Sequence, residues 1–317
     1  MKFLTRVIAA MLLPVCISCA YAQATPPWSK GENNPATDKG YVFQVDSIDN
    51  VPDLHGNPAD AKLVLFIGGN QFFVLPRLIA GFEKLHPELA GHIFYETLPP
   101  GILRYQIDKD NTLTLGNLTL HVQPDVYEAG ESALSDMEKK RQVQKITRYT
   151  TNDLAIMVPR GNPQHIQTLN DLGAPSVRLA MPNLEWEGVS KQIGDSLRKA
   201  GGDALYQFVY VSKLATGQTY FTSIHHRQTP MRIMQGQSDA GVVWSSEIIF
   251  QKKIGNPIEG VAIPPSQNIN AVYAAGILRD APHAAAAQAW IAYLLSPEAQ
   301  AAYQEFGFKP YSGPQEK

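Results

Sequence analysis

The strongest pattern along the chain is an unbroken apolar run that leads into an amphipathic stretch. Residues 63–67 (Leu-Val-Leu-Phe-Ile) contain no polar side chain, which favours a β-strand buried on both faces, as in a parallel sheet. Apolar side chains then recur every three or four residues, which predicts a helix with one buried stripe. They are Leu75, Leu78, Ile79, Phe82 and Leu85. Strand and helix together predict the first half of a βαβ unit in an α/β protein.

The turn between this strand and this helix consists of Gly68, Gly69 and Asn70. These residue types tolerate positive φ and leave backbone N–H groups accessible beside the positive end of a helix, which suits an anion or a polar ligand. Glycine can equally serve the geometry of a tight connection alone. The turn is therefore a candidate ligand loop, and its alternative is a purely structural turn.

Three further predicted strands end in turns of the same kind. The strands are residues 92–95, 124–127 and 239–244, and the turns after them are Pro99-Pro100-Gly101, Ala129-Gly130-Glu131-Ser132 and Ser245-Ser246-Glu247. Ligands of open α/β proteins bind beyond the carboxyl ends of the strands, which meet at one edge of the sheet. We expect these turns to border a common ligand cleft.

The rest of the chain also alternates between strand and helix patterns. The alternating pattern of residues 113–121 predicts a small antiparallel insertion with one solvent-exposed face. Further strands are predicted at 154–158, 208–211 and 271–275, and further helices at 133–144, 189–200 and 283–295. The sequence predicts where two helices begin, because an N-cap residue precedes a proline at Thr229-Pro230 and at Ser296-Pro297.

The N-terminus is predicted to be an export signal that covers residues 1–24. Two basic residues precede a short apolar stretch, and small residues suit cleavage after Ala22 or Ala24. Residues 25–60 are predicted to form an extended lead-in, because the first part of this segment is rich in Pro, Gly and Asn and has no periodicity.

Composition narrows the class of protein further. Both cysteines, Cys16 and Cys19, lie in the signal, so the exported chain would have no thiol or disulfide; a lipoprotein that keeps Cys19 is disfavoured by a poor lipobox. About 293 exported residues suit two lobes better than one core. Their 25 basic and 29 acidic residues give a net charge of −4, which indicates no nucleic-acid partner.

Three motifs resemble the type II periplasmic solute-binding proteins of ABC transporters. Residues 82–87 are similar to the end of that family's first helix, and residues 236–244 to its glycine, acidic turn and buried strand in the second lobe. Residues 295–300, with 306–308 after them, resemble its C-terminal signature. The resemblance extends over residues 61–310, and the order of the loops is most similar to the molybdate, tungstate and sulfate binders.

The resemblance implies a two-lobed α/β fold of the periplasmic-binding-protein type II, with the ligand cleft between the lobes. Lobe I would comprise residues 61–151 and 264–317, and lobe II residues 152–263, with hinge bending where the chain crosses between them. It also implies a periplasmic, monomeric protein without a cofactor, which hands its ligand to a membrane permease. A periplasmic sensor or accessory protein is the alternative.

In the oxyanion-binding group, hydroxyl and backbone N–H groups hold the ligand without cationic side chains. The positions carried over to this chain are Gly69, Asn70, Pro100, Gly101, Glu131, Ser132, Asn183, Gly188, Ser245 and Ser246. Two of these loops depart from the group, because Gly69-Asn70 stands where a serine is usual and Pro99-Pro100-Gly101 bears no hydroxyl. Glu131 would also repel an anion if its side chain pointed into the cleft.

The densest cationic cluster of the chain is His225-His226-Arg227. It is predicted to be an exposed polar loop. One alternative is an anion site that includes Arg227, and another is a metal site formed by His225 and His226. Adjacent histidines on a strand point to opposite faces, so a shared ion would require a loop.

The sequence contains no motif that indicates catalysis. Ser245 lacks the flanking glycines of a nucleophile elbow, and Gly68-Gly69-Asn70 matches neither a dinucleotide fingerprint nor a Walker loop. A binding protein for a small anion, such as molybdate, tungstate or sulfate, is therefore predicted rather than an enzyme.

Overall fold

The computed structural model describes residues 53–115, 118–223 and 225–315. The predicted export signal and most of the predicted lead-in lie outside the described residues. In the part of the lead-in that is described, Leu54–His55 forms a short strand at the edge of the main sheet. Among the described helices, none combines the length and the apolar character needed to cross a bilayer.

Strands and helices alternate along the described chain. The strands are β1 (Leu54–His55), β2 (Leu63–Ile67), β3 (Ile93–Glu96), β4 (Thr112–Leu115), β5 (Leu118–His121), β6 (Val126–Gly130), β7 (Thr147–Pro159), β8 (Leu179–Met181), β9 (Thr219–Phe221), β10 (Gly241–Trp244), β11 (Ile258–Ala262), β12 (Asn270–Ile277) and β13 (Lys309–Pro310). The helices are α1 (Leu75–Leu85), α2 (Pro100–Asp108), α3 (Glu131–Lys139), α4 (Val189–Gln207), α5 (Lys213–Ala215), α6 (Gln228–Met234), α7 (Ser245–Lys253), α8 (Ala284–Leu294) and α9 (Pro297–Glu305).

The long strand β7 connects two parts of the molecule. Its first half pairs with β12 and β13, and β12 continues through β6 to the parallel strands β2 and β3. Its second half pairs with β10 on one side and β11 on the other. We call the part built on β1–β3, β6 and the first half of β7 lobe I, and the part built on β8–β11 and the second half of β7 lobe II. The residue boundaries given for the lobes above stay a prediction.

The first strand–helix unit forms as its pattern predicts. All five residues of β2 are buried between neighbouring strands, and α1 buries Leu75, Leu78, Ile79 and Phe82 while Leu85, the last residue of the stripe, is 56% exposed. Pro76 lies in the first turn of α1, where the missing N–H costs no helical hydrogen bond. This prediction is confirmed.

Several other predicted elements are confirmed as well. Strands β4 and β5 pair as an antiparallel hairpin, and α8 and α9 are the predicted C-terminal helices. Ser296 caps α9, because its side chain accepts a hydrogen bond from the N–H of Ala299 at 3.2 Å.

Several local predictions are wrong. The turns expected at residues 129–132 and 245–247 do not form, because β6 runs directly into α3 at Glu131 and β10 runs directly into α7 at Ser245. Residues 208–211 were expected to form a strand, but Phe208–Ser212 is a π-helical segment that continues α4 and buries Val209 and Tyr210 in the core. The expected loop Pro99-Pro100-Gly101 is instead the start of α2, with Pro100 as its first residue. The helix expected to begin after Thr229 begins at Gln228, and Thr229 is buried within it.

The burial of β2 leads to a stability prediction. Leu65→Ala should lower the free energy of unfolding by about 2–5 kcal/mol, because the truncation leaves a cavity among residues that cannot close it. The matched control is Leu85→Ala on α1, which should change stability by less than about 0.5 kcal/mol. Urea unfolding followed by circular dichroism measures both; equal losses would show that the β2 core is not packed as described.

Candidate functional site

A cavity of about 360 Å³ lies between the two lobes. It is bordered by residues at the ends of β6 and β10 and at the starts of α2, α3 and α4. The predicted ligand residues that line it are Asn70, Pro100, Gly101, Ser132 and Gly188, and His226 lines it too. The predicted residues that do not line it are Gly69, Glu131, Asn183, Ser245, Ser246, His225 and Arg227. The ligand roles assigned to these positions stay predictions.

The N-terminus of α2 is engaged by lobe II. Pro100 has no N–H, and the N–H of Gly101 donates to the carbonyl of Trp186 at 3.0 Å. A Cβ on Gly101 would lie 2.8 Å from that carbonyl oxygen and 2.9 Å from the Cα of Trp186. Glycine is therefore required here because two backbones from different lobes approach each other closely.

The N-termini of α3 and α4 face the cavity from opposite lobes. Their N-cap residues are Gly130 and Gly188, neither of which has a side chain that could accept hydrogen bonds from the first turn. Both glycines, together with Ser132 and Ser190 of the first turns, line the cavity. Two positive helix ends therefore border one space, which is an arrangement that favours negative charge.

The acidic residue in the first turn of α3 is neutralised. Glu131 does not line the cavity, and its carboxylate accepts a hydrogen bond from Nε of the buried Arg148 at 2.6 Å. The repulsion expected for an inward-pointing Glu131 is thus avoided by a salt bridge that turns the carboxylate toward β7.

A network of uncharged polar groups runs from lobe I to lobe II beside the cavity. Nδ2 of Asn70 donates to the hydroxyl of Tyr273 at 2.6 Å, and Asn152 also hydrogen-bonds this hydroxyl. Nδ2 of Asn152 donates to Oγ of Ser246 at 2.8 Å, while Oγ of Ser245 donates to Oδ1 of Asn152 at 3.1 Å. The two serines thus hold α7 to the strands that connect the lobes.

Two members of this network, Asn152 and Tyr273, are not among the ligand residues predicted from the sequence. Tyr273 lies in the middle of β12, in a stretch predicted to be a strand, whereas Asn152 lies in β7 just before the predicted strand 154–158. A polar residue at a buried position of a connecting strand is the signal that could have identified Asn152, because a buried polar group needs a hydrogen-bond partner.

A loop of lobe II, residues 183–188, covers part of the cavity. Asn183 shapes this loop, because its Oδ1 accepts hydrogen bonds from the N–H groups of Glu185 at 2.7 Å and Trp186 at 3.2 Å. Leu184 at its tip is 51% exposed, and both Leu184 and Trp186 line the cavity. The side chain of Asn183 is therefore engaged by its own loop.

The cluster His225-His226-Arg227 is buried, so the prediction of an exposed polar loop is wrong. Arg227 reaches from lobe II into lobe I, where Nη2 donates to the carbonyls of Gly69 at 2.8 Å and Thr97 at 2.6 Å and Nη1 donates to Asp53 at 3.0 Å. The ring nitrogen Nε2 of His225 lies 3.1 Å from the same carboxylate. These lobe I partners, distant in sequence, provide the hydrogen bonds that make burial of the cluster possible.

The contacts of Arg227 also explain Gly69. A Cβ at this position would lie 2.5 Å from the carbonyl oxygen of Thr97, 2.8 Å from Cε1 of His225 and 3.0 Å from Nη2 of Arg227. The serine expected at this loop could not fit, because the basic cluster occupies the space. Burial alone would raise the pKa of Asp53, but His225 and Arg227 outweigh it and hold the pKa below its usual value.

His226 is held between two carboxylates. Its Nδ1 lies 2.8 Å from Glu187, its backbone N–H donates to Glu187 at 2.6 Å, and its Nε2 hydrogen-bonds Glu247. Burial acts to lower the pKa of His226, but the two carboxylates outweigh it and raise the pKa to about 10.

An imidazolium with both nitrogens protonated has no lone pair for a metal. Within residues 53–115, 118–223 and 225–315, no group of three or more His, Cys, Asp or Glu side chains is arranged to hold a metal ion. The geometry therefore offers no support for the alternative in which His225 and His226 bind a metal, and the neighbouring Arg227 is committed to lobe I.

Comparisons with known proteins place the chain in a family. A family model described as bacterial extracellular solute-binding protein matches residues 63–309, and the chain belongs to this family. It is also similar to a sulfate-binding protein of Synechococcus elongatus, with 22% identity over 199 residues; the match covers 61% of this chain and 57% of that relative.

Two solved structures share the fold. The sulfate-binding protein SubI of Mycobacterium tuberculosis matches with a TM-score of 0.62 at 16% identity, over 79% of this chain and 86% of that one. The periplasmic molybdate-binding protein of Azotobacter vinelandii gives a TM-score of 0.62 at 16% identity, over 78% of this chain and 98% of that one. The predicted periplasmic-binding-protein fold is thereby confirmed.

The close approach of the lobes at Gly101 can be tested. Gly101→Ala should separate residues 183–188 from α2, break the hydrogen bond to Trp186 and lower stability by about 1 kcal/mol. Trp186 is half-buried, whereas Trp244 and Trp290 are buried, so the tryptophan emission should shift to the red. Gly188→Ala is the control, because a Cβ there meets nothing within 4 Å; an identical spectrum for both variants would contradict the contact.

The buried His226 predicts a pH-dependent stability. Folding raises the pKa of His226 from 6.5 to about 10. The contribution of His226 to the free energy of unfolding is therefore complete below pH 6.5 and is lost as the pH rises towards 10. The pKa of Glu187 is lowered from 4.5, so its contribution is present above pH 4.5 and is lost on acidification. His226→Gln should therefore lower the free energy of unfolding most between pH 4.5 and 6.5, by roughly 3–5 kcal/mol, and by less at pH 9.

Urea unfolding at pH 5.5, 7.5 and 9 measures this difference. His86→Gln, which removes a more exposed histidine beside Glu88, is the matched control and should be nearly neutral. A cost of His226→Gln that is the same at all three values of pH would show that His226 is not held as an imidazolium.

Proposed function

We propose that this protein captures a small oxyanion, such as sulfate, molybdate or tungstate, in the cavity between its lobes and delivers it to the membrane permease of an ABC transporter. The observation that carries the proposal is the pair of uncapped helix N-termini, α3 from lobe I and α4 from lobe II, that border one cavity. An anion between them would receive backbone N–H groups from both lobes and so would favour the closed arrangement.

The charged side chains around the cavity largely compensate one another. Arg104, which lines the cavity, pairs with Asp108, and His226 pairs with Glu187 and Glu247, while Lys191 and Glu185 add one charge of each sign to the lining. The attraction for an anion therefore comes from the two helix N-termini rather than from net side-chain charge. The hydroxyl of Ser132 adds a neutral donor at the start of α3.

The role in transport is supported by the family and by relatives. The sulfate-binding and molybdate-binding proteins described above share the fold, and the C-terminal motif at residues 295–300 resembles ABC-transporter binding proteins. We propose a periplasmic, monomeric protein that is exported by its N-terminal signal and binds its ligand without a cofactor or a chemical step. Closure would be a hinge movement at the strands that connect the lobes.

The proposed anion site can be tested by introducing a negative charge at Ser132. Ser132→Asp should weaken anion binding at least about 100-fold, because the new carboxylate lies at the start of α3 and repels the ligand. Ser132→Ala should weaken it only about five- to tenfold, through loss of one hydroxyl. Ser135→Asp adds the same charge to the same helix outside the cavity lining and is the matched control.

Thermal shift with sulfate, molybdate, tungstate and phosphate measures the effect. An anion at 100 times its dissociation constant should stabilise the wild-type protein by about 2.7 kcal/mol. If Ser132→Asp and Ser135→Asp respond equally to every anion, the ligand does not bind at the starts of α3 and α4.

A further inference from the structure

We infer that the proposed oxyanion site extends into an apolar subsite of the same cavity, so that the site also accepts organic anions in which an oxyacid head group is joined to a flat apolar body. The assignment of the head group rests on the proposed function, in which α3 and α4 receive the negative charge. The assignment of the body rests on the size and the chemistry of the remaining cavity wall.

The cavity is much larger than an inorganic oxyanion. At about 30 Å³ per water, a tetrahedral oxyanion displaces roughly two to three waters, or about 60–90 Å³. The cavity measures about 360 Å³, so such an ion would leave most of it unfilled. Its volume falls in the range of about 300–1,000 Å³ that is common for sites that bind organic molecules.

The inner wall of the cavity is aromatic. Tyr127, Trp244 and Tyr273 line it and are buried. The hydroxyl of Tyr127 donates to the carbonyl of Pro100 at 3.0 Å, and that of Tyr273 accepts from Asn70 at 2.6 Å. The hydroxyl of Tyr127 has donated its hydrogen to the protein, so this ring offers apolar surface to the cavity, whereas the hydroxyl of Tyr273 acts as an acceptor and keeps a hydrogen that it can donate.

The loop on the other side of the cavity also carries two apolar side chains, with Glu185 between them. Leu184 and Trp186 line the cavity from the loop that Asn183 shapes, and Leu184 is 51% exposed to solvent. A leucine and a tryptophan two residues apart on a loop that lines a cleft are side chains that an apolar ligand would cover. The Trp186 carbonyl is also fixed to Gly101 of lobe I, so the loop stays over the cavity.

The aromatic wall and the two helix N-termini border the same cavity. Ser132 and Gly188 belong to the two helix N-termini, Trp186 and Trp244 provide aromatic surface, and all four residues line the same cavity. A single molecule can therefore satisfy both sets of residues only if it combines a negative oxyacid group with an apolar body.

Paired ligands test the inference by isothermal titration calorimetry on the wild-type protein. Inorganic phosphate is compared with phenyl phosphate, and sulfate with benzenesulfonate, while benzyl alcohol supplies the ring without the charge. At least one aromatic anion should bind at least about tenfold more tightly than its inorganic counterpart. Benzyl alcohol should bind more weakly than either aromatic anion.

The outcomes separate this inference from the proposed function. If an inorganic anion binds and its aromatic counterpart binds no more tightly, the inference of an apolar body is refuted and the proposed oxyanion function stands. If no anion of either kind binds, or if only benzyl alcohol binds, the proposed function fails and this inference fails with it.

Variants of Trp186 locate the apolar body. Trp186→Ala should lower the ratio of the affinities for phenyl phosphate and inorganic phosphate towards one, and Trp186→Phe should restore most of the ratio. Ser132→Asp should instead weaken both ligands together. An unchanged ratio in a folded Trp186→Ala protein, with a native circular dichroism spectrum, would overturn the placement of the body beneath this loop.

Discussion

The relative placement of the two lobes depends on the buried contacts of Arg227. Arg227 belongs to lobe II, and its guanidinium donates hydrogen bonds to the carbonyls of Gly69 and Thr97 and to the carboxylate of Asp53 in lobe I. Hydrogen bonds of an ionised donor are strong, and a buried carboxylate without its partner is costly, so this contact favours one arrangement of the lobes. That arrangement brings the starts of α3 and α4 to the same cavity and Gly101 against Trp186.

Two clusters of buried charged side chains lie in the region where the lobes meet. Asp53 with His225 and Arg227 forms one buried cluster, and His226 with two glutamates forms another. The cavity wall combines helix ends, hydroxyl groups and aromatic rings with the charged side chains of Arg104, Lys191 and Glu185. The proposed ligand would therefore meet fixed dipoles and apolar surface as well as a few charges of both signs.

The secondary structure was predictable where a local pattern reports burial. The apolar run of β2, the stripe of α1 and the Ser-Pro start of α9 each contain their own signal within a few residues. The π-helical segment Phe208–Ser212 was misassigned, because aromatic and β-branched residues favour strands locally while its burial as a helix depends on distant packing. Helix α2 was missed because Pro99-Pro100-Gly101 has the composition of a turn.

The sequence by itself determined the class of the protein, since the strand and helix periods and the three motifs are properties of neighbouring residues. It also predicted that the segments after β2 and β6 border a cleft, and Asn70 and Ser132 of these segments line the cavity. Only the tertiary structure decided which turn residues face the cavity and which are engaged by the protein itself. The basic cluster, predicted to be exposed, is buried against residues up to 174 positions away. Whether a charged side chain meets a ligand or another part of the chain depends on such long-range contacts, and no local period encodes them.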